Sequence, residues 1–196
     1  MKRLICFLAL FLILAFGVAG QAGWVLGLDA FGKDFLRFGM NANSLYFFET
    51  VTRLGNTDLL AIFTVAVACL LWARHKRRDI IPFVGAAIIS SLLSNGLKPL
   101  FGRPRPEYAL IAQGGYSFPS GHATSMTVIY GLAIVLGCLY LRKISHKLLL
   151  GILLGTAIVL VSWSRVYLGV HYLSDVLGGI FLGLAQIGLF KLFMRW

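Results

Sequence analysis

An all-α, polytopic membrane protein of about six transmembrane helices in one bundle is the fold class this sequence predicts, and three observations carry it. Hydrophobic residues make up 59% of the 196 and charged residues only 13%, with a mean hydropathy of +0.85. The apolar residues are gathered into runs that approach the roughly 20 residues a helix needs to cross a bilayer. Short clusters of Lys, Arg, Gly and Pro separate the runs. No water reaches the backbone inside a bilayer, so each run has to satisfy its own N–H and C=O groups, which makes it a helix. Six such spans leave little room for anything else. Residues 1–196 therefore read as a single membrane-embedded domain.

The first run, residues 4–19, follows Met1, Lys2 and Arg3. It fits a first membrane anchor or a signal peptide cleaved near Ala19-Gly20-Gln21-Ala22, and a retained helix is the reading taken. Residues 28–56 change character. Phe31, Phe35 and Phe38 recur at helical spacing beside Asp29, Lys33, Asp34 and Arg37. That pattern predicts a short amphipathic segment lying in the interface rather than crossing it. Tyr46, Phe47 and Phe48 follow in a piece that suits a substrate lid and a plain connector equally.

The second span is expected over residues 59–73, with Asn56, Thr57 and Asp58 offering N-cap chemistry and Arg74 to Arg78 stopping it. The third runs from 80 to about 97 and ends in Lys98. Residues 101–118 form a polar loop punctuated by Gly and Pro. The fourth span is 120–141, a basic turn occupies 142–147, the fifth span is 148–163 and the sixth 174–193.

The formal net charge of +11 raises the question of nucleic acid, but the cations punctuate apolar runs instead of forming one basic face. They read as topology signals and contacts to lipid headgroups, so the bilayer is the expected partner and no nucleic acid is. Cys6, Cys69 and Cys138 all lie within apolar runs, without metal-ligand spacing and without an expected disulfide. Orientation follows from the Lys/Arg bias. One side receives Lys2, Arg3, Arg74, Lys76, Arg77, Arg78, Arg142, Lys143, Lys147, Lys191 and Arg195 with a single acid, Asp79. That side is expected to be cytoplasmic, with both termini. Lys98, Arg105, His122, Arg165, His171 and Asp175 then all emerge at the extracytoplasmic ends of their helices.

Three polar clusters stand at those ends. In the first, Lys98 is followed by Arg103-Pro104-Arg105-Pro106, where two prolines hold Arg103 and Arg105 in extended backbone. Stiffly presented cations suit an anion. Charges that merely snorkel to headgroups would not need the stiffening. In the second, Pro119-Ser120-Gly121-His122 opens an apolar helix. Ser120 is a natural N-cap there, while the helix N-terminus and the small Gly121 let an anion approach backbone N–H groups. His122 stands where it could deliver a proton. In the third, Ser164-Arg165 precedes His171 and Asp175, which are four apart and would share one face of a helix. A carboxylate on one imidazole nitrogen prepares the other for attack or proton transfer. Alternatively His171 and Asp175 simply cap the next helix. Cations, a helix N-terminus, one His near it and one Asp-oriented His together match what phosphoryl transfer demands. No carboxylate or histidine group with metal spacing accompanies them. No metal and no cofactor are expected.

These clusters spell K-x6-R-P from Lys98 to Pro106, P-S-G-H from Pro119 to His122 and S-R-x5-H-x3-D from Ser164 to Asp175. The chain thereby resembles the type 2 phosphatidic acid phosphatase family, membrane lipid phosphate phosphatases related to vanadium haloperoxidases. The resemblance implies that His171 forms a phosphohistidine oriented by Asp175, and that His122 protonates the leaving group. Lys98, Arg105, Ser120, Gly121 and Arg165 match phosphate binders. Arg103 lies outside the motifs and receives no role, so its replacement should be milder than that of Arg105. The expected substrate is a lipid phosphate: phosphatidylglycerophosphate, phosphatidic acid or undecaprenyl pyrophosphate. Headgroup choice would reside in residues 28–56 and 107–117. A lipid-phosphate carrier without catalysis would explain the cations but not the Asp-oriented His. A vanadate-dependent haloperoxidase is associated with soluble relatives, and nothing here reads as soluble.

Overall fold

The computed structural model describes residues 2–193. Within them are α1 (Lys2–Ala19), α2 (Gly23–Leu36), α3 (Ala42–Thr52), α4 (Thr57–Ala73), α5 (Ile80–Phe101), α6 (Gly121–Tyr140), α7 (Ile144–Tyr167) and α8 (Leu173–Phe193). Two 3-10 turns, Arg53–Gly55 and Arg77–Asp79, lead into α4 and α5. Five helices are long and apolar enough to cross a membrane alone: α1, α5, α6, α7 and α8. A sixth candidate crossing is α3 and α4 taken together, a pair bent by 50° at residue 56.

At the centre stand α6 and α8. Every residue from Ala123 to Tyr130 is buried, its small polar Thr124, Ser125 and Thr127 included, as in a helix surrounded by neighbours. Small residues let the pair close up: a Cβ at Gly179 would stand 2.7 Å from the Ser120 carbonyl, and one at Gly183 2.7 Å from Thr127 Cβ. Membrane helices associate through such close packing, because lipid supplies no hydrophobic drive between them. Around this pair, α1 lies along α8, α7 and α5 lie along α6, and α4 packs on α5 at the edge. The outer face of α7 shows Leu148, Ile152 and Val159 to the surroundings, as a lipid-facing helix does.

Burying Phe11, Leu14, Ala15 and Val18, α1 is part of this packing. The two pieces expected between the first and second spans are the helices α2 and α3. The inner face of α2 carries Val25, Asp29 and Gly32 at i, i+4 and i+7, while Trp24, Phe31 and Phe35 stay exposed. In α3, Phe48 packs on Tyr167 with ring centroids 4.2 Å apart.

Two elements differ from the sequence expectation, each for its own reason. The fifth span begins at Ile144 and runs on through Tyr167 instead of stopping near 163. Hydropathy stops at Trp163 because Ser164 and Arg165 are polar, but both are buried with partners, so the helix continues. His171 and Asp175 were expected on one helix face. His171 instead lies in the turn before α8, whose helical residues start at Leu173. Gly169 ends the preceding helix in the left-handed region (φ 69°), and a Cβ there would come 2.7 Å from the Tyr108 carbonyl oxygen. The helix restarts when Asp175 Oδ2 accepts the Tyr172 N–H at 2.9 Å. Capping and contact with His171 are therefore both properties of Asp175, not alternatives.

Candidate active site

Six of the eight residues singled out in the sequence, Lys98, Arg105, Gly121, His122, Arg165 and His171, line one 570 Å³ cavity at a single end of the bundle. The other two lie directly behind it. Ser120 is fully buried at the N-cap of α6, where its side chain accepts from the Ala123 N–H at 3.5 Å. Its own N–H donates to the Asp175 carbonyl at 3.0 Å, tying the start of α6 to the start of α8. Above Gly121 a Cβ would meet only Ser94 Oγ, at 3.7 Å. The first turn of α6 thus opens onto the cavity with its free N–H groups and positive dipole end.

His171 is 2% exposed, with a charged side chain near each ring nitrogen. Nδ1 stands 3.4 Å from Asp175 Oδ2. Nε2 stands 3.2 Å from a terminal nitrogen of Arg105. Arginine can only donate, so Nε2 carries the lone pair and Nδ1 the proton. Burial, followed by the charges of Arg165, Arg105 and Lys98, holds the His171 imidazole well below its ordinary pKa. A neutral ring with its lone pair toward a cationic cavity is a poised nucleophile.

The cations are fixed by partners far away in sequence. Arg105 donates through Nε to the carbonyls of Gly114 and Gly115 (3.1 and 3.0 Å) and through a terminal nitrogen to that of Val170 at 2.7 Å. It therefore binds the 103–117 loop to the turn that carries His171. Arg165, 2% exposed, donates to Thr52 Oγ1 at 2.8 Å and to Gln113 Oε1 at 3.0 Å. Lys98 emerges from the last turn of α5.

His122 is held differently. Its Nε2 lies 3.2 Å from Asn56 Oδ1, across the cavity wall formed by the 3-10 turn before α4. Asn56 occupies the N-cap position of α4 but makes no side-chain cap bond there, contrary to the sequence expectation. Its amide is used on the histidine instead. At Gly55 a Cβ would come 2.6 Å from His122 Cδ2, so this turn approaches the ring more closely than any other residue would allow.

Sequence reasoning left Arg103 without a role and allowed it to be a headgroup-snorkelling charge. The structure corrects the second point: the side chain is only 13% exposed and lies 2.6 Å from Asp175 Oδ1 and 2.5 Å from Asp29 Oδ2. Asn56, Thr52, Gln113 and Asp29 were missed as partners of site residues.

A family model described as the PAP2 superfamily matches residues 79–196 of this sequence. The chain belongs to the PAP2 superfamily. It is 35% identical over 143 residues to phosphatidylglycerophosphatase B of Bacillus subtilis, covering 72% of this chain and 70% of that one. An undecaprenyl-diphosphatase of Sulfolobus acidocaldarius is 29% identical over 169 residues, 85% of this chain and 67% of the other. In three dimensions the chain is similar to the crystal structure of a transmembrane PAP2-type phosphatidylglycerolphosphate phosphatase from Bacillus subtilis. The TM-score is 0.90 at 30% identity, over all of this chain and 97% of that one. This PAP2 member is a multi-pass membrane protein and a lipid phosphatase.

Proposed function

We propose that the whole chain works as one phosphatase domain that hydrolyses lipid phosphates through a phosphohistidine, without metal, at the extracytoplasmic membrane surface. The observation that carries this reading is the shape of the cavity. At one end it presents His171, His122, Lys98, Arg105 and Arg165; along its length it is lined by α4 and α5. Val65, Ile88 and Leu92 line it and are also more than half exposed on the outer surface of the bundle. The groove therefore opens sideways toward lipid. A phosphate can sit among the cations while its acyl or prenyl chain stays in the bilayer.

In the first step His171 Nε2 attacks phosphorus, and the bond to the lipid oxygen breaks. That oxygen takes its proton from His122. Asp175 steadies the imidazolium formed at Nδ1. In the second step water attacks the phosphohistidine and gives a proton to His122, and inorganic phosphate leaves. Lys98, Arg105, Arg165 and the N–H groups at Gly121 neutralise charge on the non-bridging oxygens, with Ser120 holding the first turn of α6 in place behind them. The names of the relatives support phosphatidylglycerophosphate and undecaprenyl pyrophosphate as candidate substrates, with phosphatidic acid beside them. A carrier that binds without catalysis has no use for a buried histidine set between Asp175 and Arg105.

The test is phosphate release from a panel of lipid phosphates with and without EDTA. Turnover that survives chelator is expected. Loss in EDTA with recovery in magnesium would reject the metal-free mechanism, and binding without release would favour the carrier. The membrane face is tested separately in a background lacking Cys6, Cys69 and Cys138. Tyr116→Cys should react with an impermeant thiol reagent in intact cells and Lys76→Cys should not; the reverse pattern would invert the topology.

A further inference from the structure

Behind the nucleophile Asp175 is joined to two buried charges, Arg103 and Asp29, that none of the three motifs specifies. Arg103 donates through one terminal nitrogen to Asp175 Oδ1 (2.6 Å) and Ser174 Oγ (2.7 Å), and through the other to Asp29 Oδ2 (2.5 Å). Asp29 Oδ1 accepts the Ser174 N–H at 2.9 Å, capping α8 from another helix. The guanidinium lies 4.0 Å from the Tyr172 ring centre. Neither Arg103 nor Asp29 lines the cavity that holds the site; both face a separate 420 Å³ cleft between α1, α2 and the loop after α5.

An acid on the inner face of an amphipathic helix is costly unless it is paired. Asp29 is placed there by the register of Val25 and Gly32, and its partners all lead to Asp175. With Oδ1 held by Arg103 and Oδ2 held by the Tyr172 N–H, the Asp175 carboxylate cannot turn away from His171. We propose that Arg103 and Asp29 are positioning residues for the nucleophile: Arg103 fixes the Asp175 carboxylate from behind, and Asp29 fixes Arg103. This makes α2 a working part of the site, neither lid nor spacer. The inference rests on His171 being the nucleophile.

The charges give the test a sign. The groups facing His171 are Arg165 from α7, Lys98 from α5, Arg105 from the loop, His122 from α6 and Asp175 from α8. Arg103 and then Asp29 stand behind Asp175. Removing the Arg103 charge leaves Asp175 uncompensated. Its field then favours the imidazolium, and the acidic limb of the pH profile moves to higher pH. Removing the Asp29 charge leaves Arg103 uncompensated and moves the same limb to lower pH. A merely structural role would lower activity without opposite shifts.

The experiment uses the full chain in bilayer nanodiscs, with p-nitrophenyl phosphate as probe. It measures kcat/KM against pH and the rate of phosphoenzyme formation for Asp29→Asn, Arg103→Lys, Arg103→Gln and the Asp29→Asn/Arg103→Gln pair. Losses of about 10–100-fold are expected, the scale typical of partners one step removed from a reacting group. The acidic limb should rise for Arg103→Gln and fall for Asp29→Asn, and the pair should lose no more than Arg103→Gln alone. Limbs that stay put, limbs that move together or additive losses would overturn the proposal. If Arg103→Gln does not fold, Asp29→Asn and Arg103→Lys decide it: an unmoved limb for Asp29→Asn with full rescue of activity by Lys overturns it. A His171→Ala control separates the two readings, since phosphoenzyme surviving in it would reject the nucleophile and not the charge chain.

Discussion

His171 and His122 line the same cavity and are held in opposite ways. His171 lies in a turn pinned by Gly169, almost wholly buried, with Asp175 at one nitrogen and Arg105 at the other. His122 rides on the first turn of α6, partly accessible, and meets a neutral amide, Asn56, at Nε2. The difference matches the work proposed for each. A nucleophile has one line of attack on phosphorus, and rigid orientation lowers the barrier. An acid has to follow an oxygen that departs with the lipid, so a single exchangeable hydrogen bond suits it better than a clamp.

The sharpest way to break the comparison is to remove each histidine. His171→Ala should abolish turnover on every substrate and leave no phosphoenzyme; activity above a trace on any ester would remove it as the nucleophile. His122→Ala should lose about 10²–10⁴ in rate on a lipid phosphate, the usual worth of general acid catalysis. On p-nitrophenyl phosphate it should lose far less, because a good leaving group needs no proton. Equal losses on both substrates would make it a phosphate binder instead.

Arg105 serves His171, joining the loop carbonyls to Val170 and to the nucleophile itself. Arg105→Lys keeps the charge and loses the fork. A loss of about 10²–10³-fold is expected, as for one preorganised donor at a transition state. A variant within a few-fold of wild type would mean that charge alone matters there.

Asn56→Ala probes the other histidine. It should cost about tenfold on a lipid phosphate, below the full worth of the acid, and nothing further in a His122→Ala background. Additive losses would detach Asn56 from His122. The gentlest probe is pH. Because burial and the neighbouring cations lower the His171 pKa, the ring stays neutral and reactive as pH falls below the ordinary histidine value of about 6.5. The acidic limb of kcat/KM for the free enzyme should therefore lie below that value. A limb above it would mean that the carboxylate dominates the field at His171.

Much of this was legible before any coordinates. Each apolar run became a helix, and the positions of Lys98, Ser120 and His122 at helix ends follow from where those runs begin and stop. The amphipathic pattern of residues 28–38 announced a one-sided helix, although not that its inner face would hold an acid. Hydropathy misplaced the end of α7 because it counts Arg165 as a breaker, whereas Thr52 and Gln113 satisfy it inside the bundle. Helical spacing misread His171 and Asp175, since the turn at Gly169 intervenes and the pair meets across a helix start.

What the sequence by itself determined is the set of parts: apolar runs that become five or six spans, and cations and histidines at one end of the bundle. These follow from local rules, because run length, proline, glycine and helix caps act over a few residues of chain. What only the tertiary structure decided is the pairing of those parts. Asp29 meets Arg103 across 74 positions, Asn56 meets His122 across 66 and Thr52 meets Arg165 across 113. Such partners are chosen by how helices cross and which small residues let them close, and a periodicity along the chain carries no information about either. The chemistry of the site is written locally, but its rigidity comes from contacts between distant segments.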